Sequence, residues 1–322
     1  MNYNIVLLLI SFAIATISGL FVIKELKKLK VRQSEREDGP ESHLSKQGTP
    51  TMGGIIMIIS VVITTIIAYI YNKELALKMI PIMLAAIGFG LIGFIDDYKK
   101  VVLKNTDGIS PKAKMFGLLI ISILFVVYLT HFLHIDTVTL IPFLKTDISL
   151  PIYIFIPFMI LVMLATTNAV NLTDGIDGLA TSICLIIIAS LSVIGILYSV
   201  LEISMIGSIA CGACLGFLLY NLNKAKVFMG DTGSLYLGGL ISCMAIYLKM
   251  PLILIIIALV PVCETLSVIM QVAYYKRTKK RIFKMTPIHH HFELSGWREN
   301  KIVRVFSLIT LILCVIGIFS VI

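Results

Sequence analysis

In the stretch ATTNAVNLTDGIDGLA, side chains able to bind a charged ligand recur three residues apart: Asn168, Asn171, Asp174 and Asp177. On a helix, such neighbours share a face. A helix cap needs only one residue of this kind, so the regular set points to a ligand. Gly175 and Gly178 permit tight turns or a close backbone approach. A pair of acids, Asp96 and Asp97, closes the apolar run GFGLIGFIDDYKK. Adjacent carboxylates repel each other, and the helix macrodipole disfavours acids at a C-terminus. A bound cation or a basic partner relieves both problems. The segment Gly230-Asp231-Thr232-Gly233-Ser234 reads equally as a plain N-cap and as a cradle for phosphate or metal, because backbone N–H groups are free at a helix start.

Three further places carry polar chemistry. SKQGTPTMGG offers Lys46 and Thr51 on a flexible, glycine-rich loop suited to phosphate, although the G-x-x-x-x-G-K-[ST] pattern is absent. MTPIHHHFELSGWREN holds His289, His290 and His291. Consecutive histidines do not easily converge on one ion and no cysteine lies near them, so hydrogen bonding to an anionic substrate is favoured over zinc. Glu264 sits inside an apolar run, where an acid is a functional candidate by default. The bland alternative is a pairing with Gln271, two turns on.

The elements that hold these residues follow from composition. The chain has 322 residues, 58% of them hydrophobic and only 14% charged, against roughly 25% charged in an average soluble domain. That much apolar surface needs lipid, and a span needs roughly 20 apolar residues. Candidate spans are Ile5–Ile23, Thr51–Tyr71, Leu75–Ile95, Met115–Leu133, Ile152–Val170, Leu179–Leu201, Ile203–Leu222, Ser234–Leu248, Met250–Ala273 and Val305–Ile322. The eighth is short and rich in glycine. The first lacks a basic lead and a cleavage site, so it reads as a retained span and not a signal peptide. The expected fold is an all-α polytopic membrane protein of about ten spans, forming a single domain over residues 1–322.

Charge sets the orientation. The formal net charge is +9, yet the basic residues gather in alternate loops. Lys24 to Lys46, Lys99 to Lys114, Lys224 with Lys226, and Lys276 to Arg304 hold nearly all of them. Such alternation marks cytoplasmic loops and not a nucleic-acid surface. Both termini are then outside, and the polar clusters share the cytoplasmic face. The six cysteines all fall in apolar runs, and Cys211-x-x-Cys214 reads as packing. His134–Leu150 alternates around Pro142 and suits a surface hairpin. Prolines 81, 157, 251 and 261 are candidate kinks.

Carboxylates, amides, histidines and glycines facing one another at one membrane face suit a phosphoanion with Mg²⁺, which takes one or two protein carboxylates plus substrate phosphates. A transporter would place its polar residues near the midplane between repeats, and no repeat is evident. In order, KQGTPTMGG, FIDDYKK, NAVNLTDGIDGLA, VFMGDTGSL and PIHHHFELSGW resemble the phospho-N-acetylmuramoyl-pentapeptide-transferase family. The match runs from Lys46 to Trp297. Its superfamily joins polyprenyl phosphate to sugar phosphates, and a sister branch uses UDP-N-acetylglucosamine.

The resemblance implies Mg²⁺-dependent transfer of phospho-MurNAc-pentapeptide from UDP to undecaprenyl phosphate, giving lipid I and UMP. It implies a homodimer in the bacterial plasma membrane with its active site facing the cytoplasm. It makes Asp231 the leading metal ligand, with Asn171 beside it. Asp96 and Asp97 become candidates for activating the lipid phosphate, or equally for orienting it or binding metal, and Asp174 for contacting metal or substrate. Lys46 and His289 become candidates for holding the pyrophosphate or stabilising developing charge. Thr51, Lys100, Asn168, Asp177, Asn221, Phe228, His290 and His291 are the substrate-contact candidates.

Overall fold

The computed structural model describes residues 2–29, 48–103 and 108–322. Helices α1 (Asn2–Lys28), α2 (Gly54–Tyr71), α3 (Lys73–Val101) and α4 (Pro111–Val127) lead into a hairpin of β1 (Val138–Ile141) and β2 (Thr146–Ser149). Then come α5 (Ile152–Thr173), α6 (Leu179–Leu197), α7 (Leu201–Asn221) and α8 (Gly230–Tyr247). The chain ends with α9 (Leu254–Ile257), α10 (Leu259–Thr278), α11 (Ile288–Glu293) and α12 (Glu299–Val321). The hairpin is antiparallel, with Val138 opposite Ser149, as the alternating pattern around Pro142 predicts.

Among the described residues, eight helices are long and apolar enough to cross a membrane. A bent pair, Pro251–Ile257 with Leu259–Thr278, supplies a further crossing if taken as one span. The protein is therefore an all-α, multi-pass membrane protein. Helix α8, the short glycine-rich element, is less apolar than these. It lies at the centre of the bundle with its residues from Thr232 to Ile246 buried, packed between α2, α3, α5 and α6. A rod shielded from lipid by its neighbours can carry glycine and serine, and small residues let backbones approach closely. A Cβ on Gly93 of α3 would collide with the Asp231 carbonyl, and one on Gly54 of α2 would collide with Gly233. The start of α8 is thus wedged between two other helices.

Pro81 and Pro157 lie inside unbroken helices. The sharp bend, 80°, falls at Ala258, three residues before Pro261. Proline has no N–H for the preceding turn and its ring crowds that turn's carbonyl, so the helix restarts at Leu259. Helix α10 is polar on the inside and apolar on the outside. Its buried residues include Glu264, Ser267 and Gln271, while Leu266, Ile269, Met270 and Val272 are exposed. That reversal of the soluble pattern suits a lipid surround.

Candidate active site

One end of the bundle collects the polar residues, because helix ends alternate there: the C-termini of α3, α5 and α7 meet the N-termini of α4, α6 and α8. Asp96 and Asp97 end α3, and both are buried, at 2% and 5% exposed. Adjacent positions on a helix point apart, so the two acids have different partners. Asp97 Oδ2 accepts from the Thr232 amide at 2.9 Å and the Thr232 hydroxyl at 2.6 Å. Its Oδ1 accepts from the Asp231 amide at 3.2 Å. Asp97 therefore caps α8 from a neighbouring helix, where a negative charge meets the positive end of the macrodipole. Asp96 accepts from the Ile109 amide at 2.7 Å and from Lys100 Nζ at 2.8 Å.

Asp231 opens α8, with a side chain 21% exposed. Lys114 Nζ donates to its Oδ2 at 2.6 Å, and Lys100 Nζ lies 3.3 Å from the same oxygen. Asn171 Nδ2 donates to Oδ1 at 2.9 Å and to Ser234 Oγ at 2.9 Å. Lys114 reaches the acids because Ser110 caps α4 and Pro111 opens it, which sets the lysine one turn inside the helix. Lys114 Nζ also lies 3.5 Å from Asp96 Oδ2, so it bridges the two carboxylates.

Asp174 follows α5 directly. Its carboxyl is enclosed by protein yet still meets some solvent, and it has no hydrogen-bond partner among the described residues. Burial pushes it up to about 8, and the charges of Asp231, Asp97 and Asp177 add to that rise. A cluster of acids short of positive charge is a place for a cation. Among the described residues, no three His, Cys, Asp or Glu side chains close on one point. Mg²⁺ needs no such trio, since substrate phosphates complete its shell. Asp231, Asn171 and Asp174 fit the donor set of such an ion.

The remaining candidates are placed as follows. Asn168 Nδ2 bonds its own helix at the Leu164 carbonyl, 2.7 Å away. Asp177 accepts from the Ala225 amide at 3.0 Å, tying the turn before α6 to the loop before α8. Asn221 accepts from Thr181 Oγ1 at 2.8 Å and donates to the Val227 carbonyl at 3.1 Å. These side chains brace the loops of the site. Thr51 is buried beside Gly230, and Phe228 is half-buried with its backbone paired to Pro50 and Gly53. Lys46 lies outside the described residues.

Helix α11 brings in the histidines. His289 is fully buried, with Nδ1 3.1 Å from Glu264 Oε2. Its imidazole packs against Gly175, where a Cβ would collide with Nε2. His290 Nδ1 lies 3.2 Å from Glu293 Oε2, and His291 Nδ1 accepts from the Lys284 amide at 3.1 Å. Glu264 thus pairs with His289 and not with Gln271. Gln271 instead holds the loop after α10 by accepting from the Ile282 amide at 2.9 Å and the Phe283 amide at 3.1 Å. Sequence reasoning passed over Lys114 as a topological charge. The signal it carried was its position one turn after a Ser-Pro helix start.

The model of glycosyl transferase family 4 matches residues 79–249, a stretch that includes Asp96, Asp97, Lys114, Asn171, Asp174 and Asp231. The chain is 47% identical over 319 residues to a phospho-N-acetylmuramoyl-pentapeptide-transferase of Acetivibrio thermocellus, covering 98% of this chain and 95% of the relative. It is 49% identical over 312 residues to a protein of the same name from Clostridium kluyveri, covering 97% of each chain. A Staphylococcus epidermidis protein of that name is 49% identical over 319 residues, covering 98% of each. Similarity of this depth along the whole chain, with the acids and lysines assembled at one end of the bundle, carries one conclusion: the chain belongs to glycosyl transferase family 4, among its phospho-N-acetylmuramoyl-pentapeptide-transferases.

Proposed function

We infer that this protein transfers phospho-MurNAc-pentapeptide from UDP to undecaprenyl phosphate, forming lipid I and releasing UMP. The full-length similarity to enzymes of that name supports the reaction. The observation that supports its location is the Asp231 cluster, where Lys114, Lys100 and Asn171 converge on one carboxylate.

The site lies at the cytoplasmic face on this reading. Lys27, Lys28, Lys99, Lys100, Lys224, Lys226, Lys276 and Arg277 flank the same helix ends, and basic loops stay inside. The nucleotide substrate is then met from the aqueous side and the lipid phosphate from the bilayer. The family resemblance supports a homodimer.

Phosphoryl transfer depends on positioning and charge neutralisation more than on covalent protein chemistry. The lipid phosphate has a second pKa of about 6 and is mostly dianionic at neutral pH. Its oxygen attacks the sugar-linked phosphorus directly, and the bridging oxygen departs with UMP. Asp96 and Asp97 already hold backbone amides, which supports direct attack over a phosphorylated aspartate. Lys100 and Lys114 offer ammonium groups to the charge that develops on the phosphoryl oxygens. We propose that Mg²⁺ is required, held by Asp231 and Asn171 with Asp174. When bound it neutralises the pyrophosphate.

The test is UMP release by purified protein with UDP-MurNAc-pentapeptide, undecaprenyl phosphate and Mg²⁺. The wild type should release UMP only when all three are present, and folded Asp231→Asn should not. Turnover of UDP-N-acetylglucosamine instead would move the protein to the sister branch. Turnover of neither donor would end the transferase reading.

A further inference from the structure

We propose that Glu264 is a positioning residue for His289, holding the imidazole so that Nε2 addresses the Asp174–Gly175 turn. The proposal rests on the transferase reading of that site. Both side chains are 0% exposed. Glu264 Oε2 lies 3.1 Å from His289 Nδ1 and accepts from the His289 amide at 3.3 Å. The carboxylate therefore holds the main chain of the histidine and lies beside its ring. The Nδ1 approach is close but not aligned as a full hydrogen bond. Nε2 and Glu264 Oε1 have no partner among the described residues.

Buried polar groups are normally satisfied, so unpaired atoms at a fully buried pair require an explanation. Burying a carboxylate inside a span is costly, and a purely structural pair would close its hydrogen bonds. Here the free end of the imidazole is pressed against Gly175, the neighbour of Asp174. Only glycine leaves room for that approach. Nε2 thus backs the turn that presents Asp174. A carboxylate behind a histidine fixes its tautomer and ring orientation, as in metal and hydrolase sites where such partners matter nearly as much as the ligands. With the Glu264 carboxylate beside Nδ1 at 3.1 Å, the imidazole presents Nε2 to the turn. Without the carboxylate, either nitrogen could carry the proton and the ring could turn.

The experiment compares Glu264→Gln, Glu264→Asp and His289→Asn in detergent. It measures melting temperature, UMP release kinetics and the ¹⁵N spectrum of histidine-labelled protein, with His289→Asn identifying the His289 signals. Glu264→Gln should melt near the wild type, lose about ten- to a hundredfold in kcat, and keep both KM values within about twofold. Glu264→Asp should recover part of the loss. The His289 nitrogen shifts should change in Glu264→Gln while the other histidines keep theirs. Full turnover by Glu264→Gln, or unchanged His289 shifts, would overturn the proposal. If His289→Asn is dead and Glu264→Gln is fully active, only the positioning role fails. If His289→Asn is itself fully active, the placing of His289 in the active site fails with it.

Discussion

The Asp97 carboxylate at the end of α3 caps the start of α8 through Thr232, 2.9 Å from its amide and 2.6 Å from its hydroxyl. Two acids adjacent in sequence therefore do different work. Asp97 fixes the helix that presents Asp231, and Asp96 anchors Lys100 and the Ile109 amide.

Asp97→Ala should cost both stability and turnover. It removes a charged cap from a buried helix start and leaves two amides and a hydroxyl unpaired. Losing a cap costs about 1–2 kcal/mol, and unsatisfied buried donors add to that. Asp97→Asn keeps one acceptor and should fall less in melting temperature. Asp231→Asn should melt close to the wild type while losing UMP release. Thermal unfolding beside activity for the three variants checks this. If Asp97→Ala melts like the wild type, Asp97 is not the cap of α8.

Lys114 makes the shortest contact to Asp231, 2.6 Å. Its ammonium neutralises the carboxylate when no substrate is present and can serve a phosphate when one is. Lys114→Met keeps the stem and removes the charge. Removing one preorganised donor to developing charge costs about a hundred- to a thousandfold in kcat, and that loss is expected here. The same change leaves Asp231 with less competing positive charge, so Mg²⁺ should bind more tightly. Turnover and Mg²⁺ titration should therefore move in opposite directions. A loss of both would mean that Lys114 only holds the site together.

Much of this was readable in the residues. The spans, the hairpin around Pro142 and the gathering of polar loops at one end follow from hydropathy, turn chemistry and basic residues, all local signals. Which acid meets which partner is not local. Asp96 and Asp97 are equivalent in sequence, and only the crossing of α3 with α8, allowed by Gly93, sends Asp97 to Thr232. Lys114 was masked because a lysine beside a span already has a topological reason to be there. Asn168 and Asp177 share the spacing and type of ligands, and Asn221 the type, and the structure shows all three holding backbone groups. The type of a side chain shows what it can bond, and the packing decides what it does bond.

The last expectation concerns pH. Burial, with Asp231, Asp97 and Asp177 nearby, pushes Asp174 up to about 8 in the metal-free protein. Below that pH its carboxyl is neutral in the folded state, while in the unfolded chain it ionises near the ordinary value of about 3.9. The folded state therefore binds more protons between those two values. Through this group, stability falls as pH rises across that window and levels off above about 8. A cation needs the carboxylate, so Mg²⁺ must displace the proton below pH 8. Mg²⁺ affinity should thus strengthen as pH rises toward 8 and flatten beyond it. Asp174→Asn should weaken Mg²⁺ binding and remove that dependence on pH, and it should stabilise the metal-free protein at pH 8 relative to wild type. Calorimetric Mg²⁺ titration and thermal unfolding across pH 6 to 9 test both halves. If wild-type affinity stays flat across that range while Asp231→Asn abolishes binding, the ion is held by Asp231 without Asp174.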